Sequence, residues 1–386
     1  MDLQTLSANL QRIRVAKGKS QGEIAEAAGL SRVGYRNVET GVSAPRVDTL
    51  MKIAEALEVR LDELLTPVRT LTAVRFRAQK KMTTRGELLA DVARWLDDYN
   101  ELEQLLSRGR AFDFAEVRAK VARLPQGEER ARTAAALARS AVRIGDRETI
   151  RDICGLLEDH GVKVFTPRLA SEGFFGLSVA EEDGGPAVIV NVWERLSVER
   201  WIFTAAHELG HLLLHLDAYD VSRSEEDVGQ EKEADFFAGH FLMPDDLFEK
   251  ELSEARGLPL VKLVFKLKRI FRVSWKTVLY RLSTRSPEGG KLWGRFQAEY
   301  RSATGKTIGA KEEPDGLAPD GFRAIRPSAK VADEPEHLLE GDFVEDRLHR
   351  LVRAAIEDGT ISMGRGAEIL RIDLGDMRDL ASSWVK

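Results

Sequence analysis

Cysteine is almost absent: Cys154 is the only one in 386 residues. A single thiol can form neither an internal disulfide nor a cysteine-type zinc site, so sulfur does not frame the fold and a reducing compartment is expected. Cys154 itself, within a helical stretch, reads as inert. No run reaches about 18 apolar residues, and Met1-Asp2-Leu3 leads into helical pattern without a basic stretch followed by an apolar one. Neither a membrane partner nor a secretory leader is expected, and the expected location is cytoplasmic. There is also no internal repeat of fixed period.

What is present is ordinary globular composition, 43% hydrophobic and 31% charged, which argues against a mostly disordered chain. At roughly 100 to 200 residues per domain the length predicts two or three domains. The net charge of -5 hides an asymmetry: residues 1–85 carry 15 Lys and Arg against 9 Asp and Glu (+6), and the remainder 43 against 54 (-11). A nucleic-acid partner is therefore sought at the basic end.

From Leu6 to Leu65 apolar residues recur at helical spacing in short bursts, which predicts a compact bundle of about five helices over residues 1–66. Ser20 with Glu23 marks one helix start, Gly29 its end and Ser31 the next start. Residues 67–144 read as linker and helical connector, with a strand-like basic stretch at 74–77 and helices over 86–106 and 128–144. A helix near 152–160, strands at 162–165, 174–179 and 187–192, and helices from Arg200 to Leu282 make residues 145–282 a mixed domain with a small sheet. Residues 283–386 form a C-terminal domain of unassigned role: Gly, Pro and charge predict irregular chain over 286–335, followed by helices at 343–357 and 363–370 around Gly359-Thr360-Ile361. The fold class expected is α+β, mostly helical.

The most informative residues are His207-Glu208-Leu209-Gly210-His211. On a helix, i and i+4 share a face, so two imidazoles can hold one zinc ion while the intervening Glu208 reaches a metal-activated water as general base. The run Glu231-Lys232-Glu233-Ala234-Asp235 supplies further donors. Glu231 and Asp235 share a face, so Glu231 is expected as third ligand and Asp235 as acceptor from a ligand imidazole, whereas Glu233, rotated by about 200°, is the substitute. Peptide-bond hydrolysis is the reaction class, with strand 187–192 available for edge pairing with an extended substrate. His215 reads as a helix-end residue, His240 as a packing histidine. Tyr280 and Arg281 are candidate oxyanion stabilisers, although a core-facing Tyr and a surface Arg are the commoner outcome.

At the basic end, two helices joined by a tight turn present Arg32, Val33, Arg36 and Asn37 on the face of the second, with Tyr35 and Val38 inward. Arg reads guanine and Asn adenine in the major groove, while Gln21 and Ser31 suit phosphate contacts.

Residues 1–66, through Ser20-Gln21-Gly22-Glu23-Ile24-Ala25 and Val38-Glu39-Thr40-Gly41-Val42-Ser43-Ala44-Pro45, resemble the XRE-type helix-turn-helix domain of bacterial and phage repressors. Tyr35 stands there in place of the usual aliphatic residue. Residues 145–282, through Arg200-Trp201-Ile202-Phe203-Thr204, the His207 motif, the Glu231 run and Leu242-Met243-Pro244, resemble the ImmA/IrrE zinc endopeptidases. The resemblance implies a thermolysin-like, gluzincin-type core with His207, His211 and Glu231 on Zn2+ and Glu208 catalytic. It also implies cleavage of an XRE-type repressor, either a partner or the chain itself at residues 67–85, in a stress, DNA-damage or mobile-element response. The expected partners are operator DNA, that protein substrate and a second copy in a homodimer. The alternative is a transcription factor whose peptidase-like domain senses a ligand or metal without hydrolysis.

Overall fold

The computed structural model describes residues 2–66, 71–78, 85–219, 227–285, 289–309, 311–318, 320–321 and 334–384. The fold is α+β and mostly helical. The chain divides into two units, residues 1–72 with 80–101, and residues 73–79 with 102–386. Residues 67–144, read from sequence as linker and connector, are thus shared between the units. No described helix is long and apolar enough to cross a membrane.

The first unit contains α1 (Leu3–Ala16), α2 (Gln21–Ala27), α3 (Arg32–Glu39), α4 (Val47–Ala56), α5 (Leu61–Leu65) and α6 (Arg85–Leu105) as far as Glu101. The Ser20 hydroxyl and the Glu23 carboxylate cap the start of α2 reciprocally, and Ser31 Oγ accepts from Gly34 N at the start of α3. Leu6, Leu10, Ile24, Tyr35, Val38, Leu50, Ile53 and Leu64 close one core, as their helical spacing predicts. The buried Glu39 carboxylate ties three helices together: Arg14 grips it with Nε at 2.6 Å and Nη2 at 2.8 Å, and Gln21 Nε2 donates to it at 2.9 Å.

The second unit is built on a four-stranded sheet in the order β1-β3-β4-β2, with β1 (Val74–Ala78), β2 (Lys163–Phe165), β3 (Phe174–Val179) and β4 (Ala187–Val190). β1 and β4 flank β3 antiparallel, and β2 runs parallel to β4. β4, expected to offer an edge to substrate, is paired on both sides and has none to offer. Its continuous apolar run Val188-Ile189-Val190 is what a central strand needs.

Around the sheet lie α7 (Ala115–Val121), α8 (Glu128–Ala141), α9 (Ile153–Asp159), α10 (Val198–Leu214), α11 (Val228–Leu242), α12 (Asp245–Glu254), α13 (Leu260–Phe271), α14 (Trp275–Thr284) and α15 (Gly289–Thr304). Helices Arg347–Glu357, Met363–Leu370 and Leu374–Ser383 follow. α15 corrects the expectation of irregular chain over 286–335. Leu292, Phe296 and Tyr300 recur every fourth residue, and Phe296 stacks on Trp275 with ring centres 5.1 Å apart. Packing of that stripe outweighs the local Gly and charge content. Of the same segment, 286–288, 310, 319 and 322–333 lie outside the described residues. The last helices also differ from expectation, the first starting at Arg347 behind a 3-10 turn, and Leu374–Ser383 being additional.

Candidate metal centre

α10 crosses the unit almost wholly buried, with Ser197 capping its start. The helix is buried on nearly every side, so the polar residues at 207, 208, 211 and 215 must find partners inside the protein. They do so on α11 and β3. His207 Nε2 and His211 Nε2 are 2.9 Å apart, and Glu231 in the first turn of α11 brings one carboxylate oxygen to 3.3 Å from the first and the other to 3.2 Å from the second. The three donors lie within 4.8 Å of one another. Ligands that each stand about 2.0–2.2 Å from one ion have to be this close, and two imidazoles with a carboxylate are a donor set that suits zinc.

Both rings are held by their other nitrogen. His207 Nδ1 is 2.8 Å from Asp235 Oδ1, one turn beyond Glu231. His211 Nδ1 is 2.9 Å from His215 Nδ1, and His215 Nε2 is 2.9 Å from Glu233 Oε2. Each carboxylate can only accept, which turns the Nε2 lone pairs of His207 and His211 towards Glu231. Glu233 is therefore not the substitute ligand. It is buried between His215 and Arg130, whose Nε and Nη2 each approach it at 2.7 Å, and it accepts from Gly127 N at 2.9 Å. Burial alone would push the Glu233 carboxyl up, but these donors hold it at about 2. Burial, reinforced by the neighbouring His207, keeps His211 far below the usual imidazole range.

Glu208 lies on the sheet side. Ser178 Oγ on β3 donates to Glu208 Oε2 at 2.9 Å, and Tyr219 Oη, just past the end of α10, donates to Ser178 Oγ at 2.6 Å. Burial raises the Tyr219 phenol far above its ordinary value, so it remains a donor. β3 comes this near because residue 176 is glycine. A Cβ there would stand 2.7 Å from Thr204 Cγ2, 2.8 Å from Ile189 O and 3.2 Å from Glu208 Oε1. On the outer side of β3, Arg75 of β1 sits in register with Ser178, its Nη2 3.1 Å from Glu231 Oε1 and its Nη1 donating to Gln230 Oε1.

Sequence reasoning does not single out Ser178, Tyr219, Arg75 or Arg130. The one sequence signal is the pair of small residues Gly176 and Ser178 on one face of an otherwise apolar strand. Tyr280 and Arg281 invert their commoner outcomes. Arg281 is buried, bonded to Asp245 Oδ1 at 2.6 Å and to His240, whereas Tyr280 is 48% exposed. With Phe203, Asp235, Phe236 and Trp293 they line a cavity of about 430 Å³ beside the centre. His240 holds Arg281 and lies apart from the three donors. Cys154 is buried, which drives its thiol pKa well up.

On α3, Arg32, Val33 and Arg36 are exposed, Asn37 is half-buried, and Tyr35 and Val38 face the core. Gln21 and Ser31, expected at phosphates, are engaged with Glu39 and the α3 cap.

Residues 157–283 match the model of the IrrE N-terminal-like domain, peptidase M78, and residues 10–64 that of the helix-turn-helix. The chain joins a helix-turn-helix domain to an IrrE N-terminal-like domain. The helix-turn-helix is similar to the cryptic phage CTXphi transcriptional repressor RstR of Vibrio cholerae serotype O1, 37% identical over 59 residues, 15% of this chain and 53% of the repressor. It is also similar to the HTH-type transcriptional regulator SutR of Escherichia coli K12, 36% identical over 67 residues, 17% of this chain and 38% of that protein. The match thus spans about half of one relative and less of the other. Apo ComR from S. thermophilus aligns over 78% of this chain and 95% of its own at 14% identity, with a TM-score of 0.16. The chain thus carries a helix-turn-helix domain and an M78 peptidase-like domain.

Proposed function

We propose that the IrrE-like domain is a zinc-dependent endopeptidase, and that this DNA-binding regulator cleaves a repressor protein of its own helix-turn-helix class, a partner or itself, in a stress, DNA-damage or mobile-element response. The observation that supports this reading best is the convergence of His207, His211 and Glu231 with a Glu208 carboxylate oriented by Ser178. A zinc ion on these donors would supply Lewis acidity, acidifying water and polarising a peptide carbonyl. Glu208 takes the proton from the attacking water at its carboxylate and returns it to the leaving amine. Ser178 and Tyr219 hold that carboxylate in one orientation. Asp235 and the His215–Glu233 pair fix the ligand imidazoles, and the cavity edged by Phe203, Phe236 and Tyr280 offers room for a substrate side chain. Exposed Arg32, Val33, Arg36 and half-buried Asn37 serve as the DNA face, paired in a homodimer so that two half-sites are read.

The test is zinc content and cleavage measured together. Wild type, His207→Ala and Glu208→Gln are incubated with co-encoded helix-turn-helix repressors and alone. Cleavage by zinc-loaded wild type, lost in both variants, is the expected result. Zinc bound with every protein left intact would turn the reading to a non-hydrolytic metal or ligand sensor.

A further inference from the structure

β1 belongs to neither matched segment, yet it completes the sheet beside the metal centre. It is an edge strand, antiparallel to β3, in the register Val74↔Val179 and Arg75↔Ser178. The residue opposite Arg75 is the one that donates to Glu208. The Arg75 side chain reaches past it to Gln230 and Glu231 on α11. An extended peptide laid on a sheet edge takes affinity from main-chain hydrogen bonds and specificity from alternate side chains. With β4 paired on both sides, the outer edge of β3 is the edge next to Glu208, and β1 lies along it.

We propose that β1 is a built-in occupant of the substrate edge. Val74–Ala78 fills the place of an extended peptide, Arg75 anchors it on Gln230 and Glu231, and an incoming substrate strand has to displace it. The word substrate rests on the endopeptidase reading, whereas the occupied edge is a matter of geometry. The anchor defines the partner as well: the amide oxygen of Gln230 and the carboxylate of Glu231 call for a segment with an arginine opposite Ser178. The ladder suits exchange, since it spans five residues and its register slips at Arg77/Ala78. A strand this short gains little from pairing alone, so a single side-chain anchor weighs heavily in whether it stays.

The experiment uses the full-length protein and a fluorescein-labelled synthetic peptide with the sequence of residues 71–79. Amide hydrogen exchange at 74–78 and 174–179 and peptide binding by anisotropy are measured for wild type, Arg75→Glu and Arg75→Lys. The expected result for Arg75→Glu is about ten-fold faster exchange at 74–78 and about ten-fold tighter peptide binding than wild type, with Arg75→Lys close to wild type. A peptide with Glu at the Arg75 position should not bind. If Arg75→Glu does not fold, wild type decides: saturating peptide must speed exchange at 74–78 by displacing β1. A folded Arg75→Glu with unchanged exchange and no peptide binding, or no displacement in wild type, overturns the proposal. Failure of the endopeptidase reading looks different, because the peptide then displaces β1 while zinc-loaded protein cleaves nothing.

Discussion

His211 and His215 face each other through their Nδ1 atoms at 2.9 Å, and the far nitrogen of His215 rests on Glu233. Glu233 accepts, His215 passes the demand on, and His211 must donate from Nδ1, which leaves the Nε2 lone pair to serve an ion. Truncating His215→Ala removes that orientation, and zinc affinity is expected to fall about 10- to 100-fold by chelator competition. His240→Ala, which loses a partner of Arg281 instead, should leave zinc affinity unchanged.

Glu208→Gln keeps size and leaves the three donors in place. It should retain zinc while cleavage of a susceptible repressor falls about 10²- to 10⁴-fold, the usual weight of a general base. Ser178→Ala should lower the rate less and leave zinc content alone.

Gly176→Ala places a methyl group where Thr204, Ile189 and Glu208 already stand. The expected cost is about 1–3 kcal/mol in urea denaturation, as for overpacking in a tight core. Retention of full stability would show that β3 can move away from α10.

Removing Arg36, exposed on α3, should weaken specific operator binding by about 1–3 kcal/mol at fixed salt and relax selectivity at one base pair. Arg14→Ala acts elsewhere: it strips the buried Glu39 of its bidentate partner, so thermal denaturation rather than base selectivity should register it.

Glu158 supplies a pH test remote from the centre. Its burial pushes the carboxyl from 4.5 up to about 7, against the pull of the Asp346 and Arg347 amides that it accepts from. The folded state therefore binds this proton more tightly than the unfolded chain does. Stability from this group is complete below pH 4.5 and is lost as pH rises towards 7. Glu158→Gln should flatten that part of the profile in denaturation at pH 5 and pH 7.5.

Legibility in the sequence follows how local each feature is. The caps at Ser20 and Ser31, the bursts that bury Leu6 and Ile53, and the i, i+4 spacing of His207 and His211 are readable because neighbours in sequence create them. Glu231 and Asp235 are readable as one face of a helix, but their approach to the imidazoles comes from the packing of α11 on α10. Ser178 and Arg130 reach Glu208 and Glu233 across 30 and 103 residues of chain, and no period or motif announces such pairs. α15 is obscured for a related reason: its aromatic stripe has meaning only against Trp275.

The path of the chain has a practical corollary. Residues 1–72 belong to one unit, 73–79 to the other, 80–101 to the first again and 102–386 to the second, so the backbone passes between them three times. No single cut yields two intact modules. A fragment starting after Glu101 loses β1 and bares the main-chain donors and acceptors of β3, an open edge that invites aggregation or foreign strands. In this molecule modularity is a property of the folds and not of the sequence, and a gene fusion or truncation made at the family boundaries would remove a strand that belongs to the sheet.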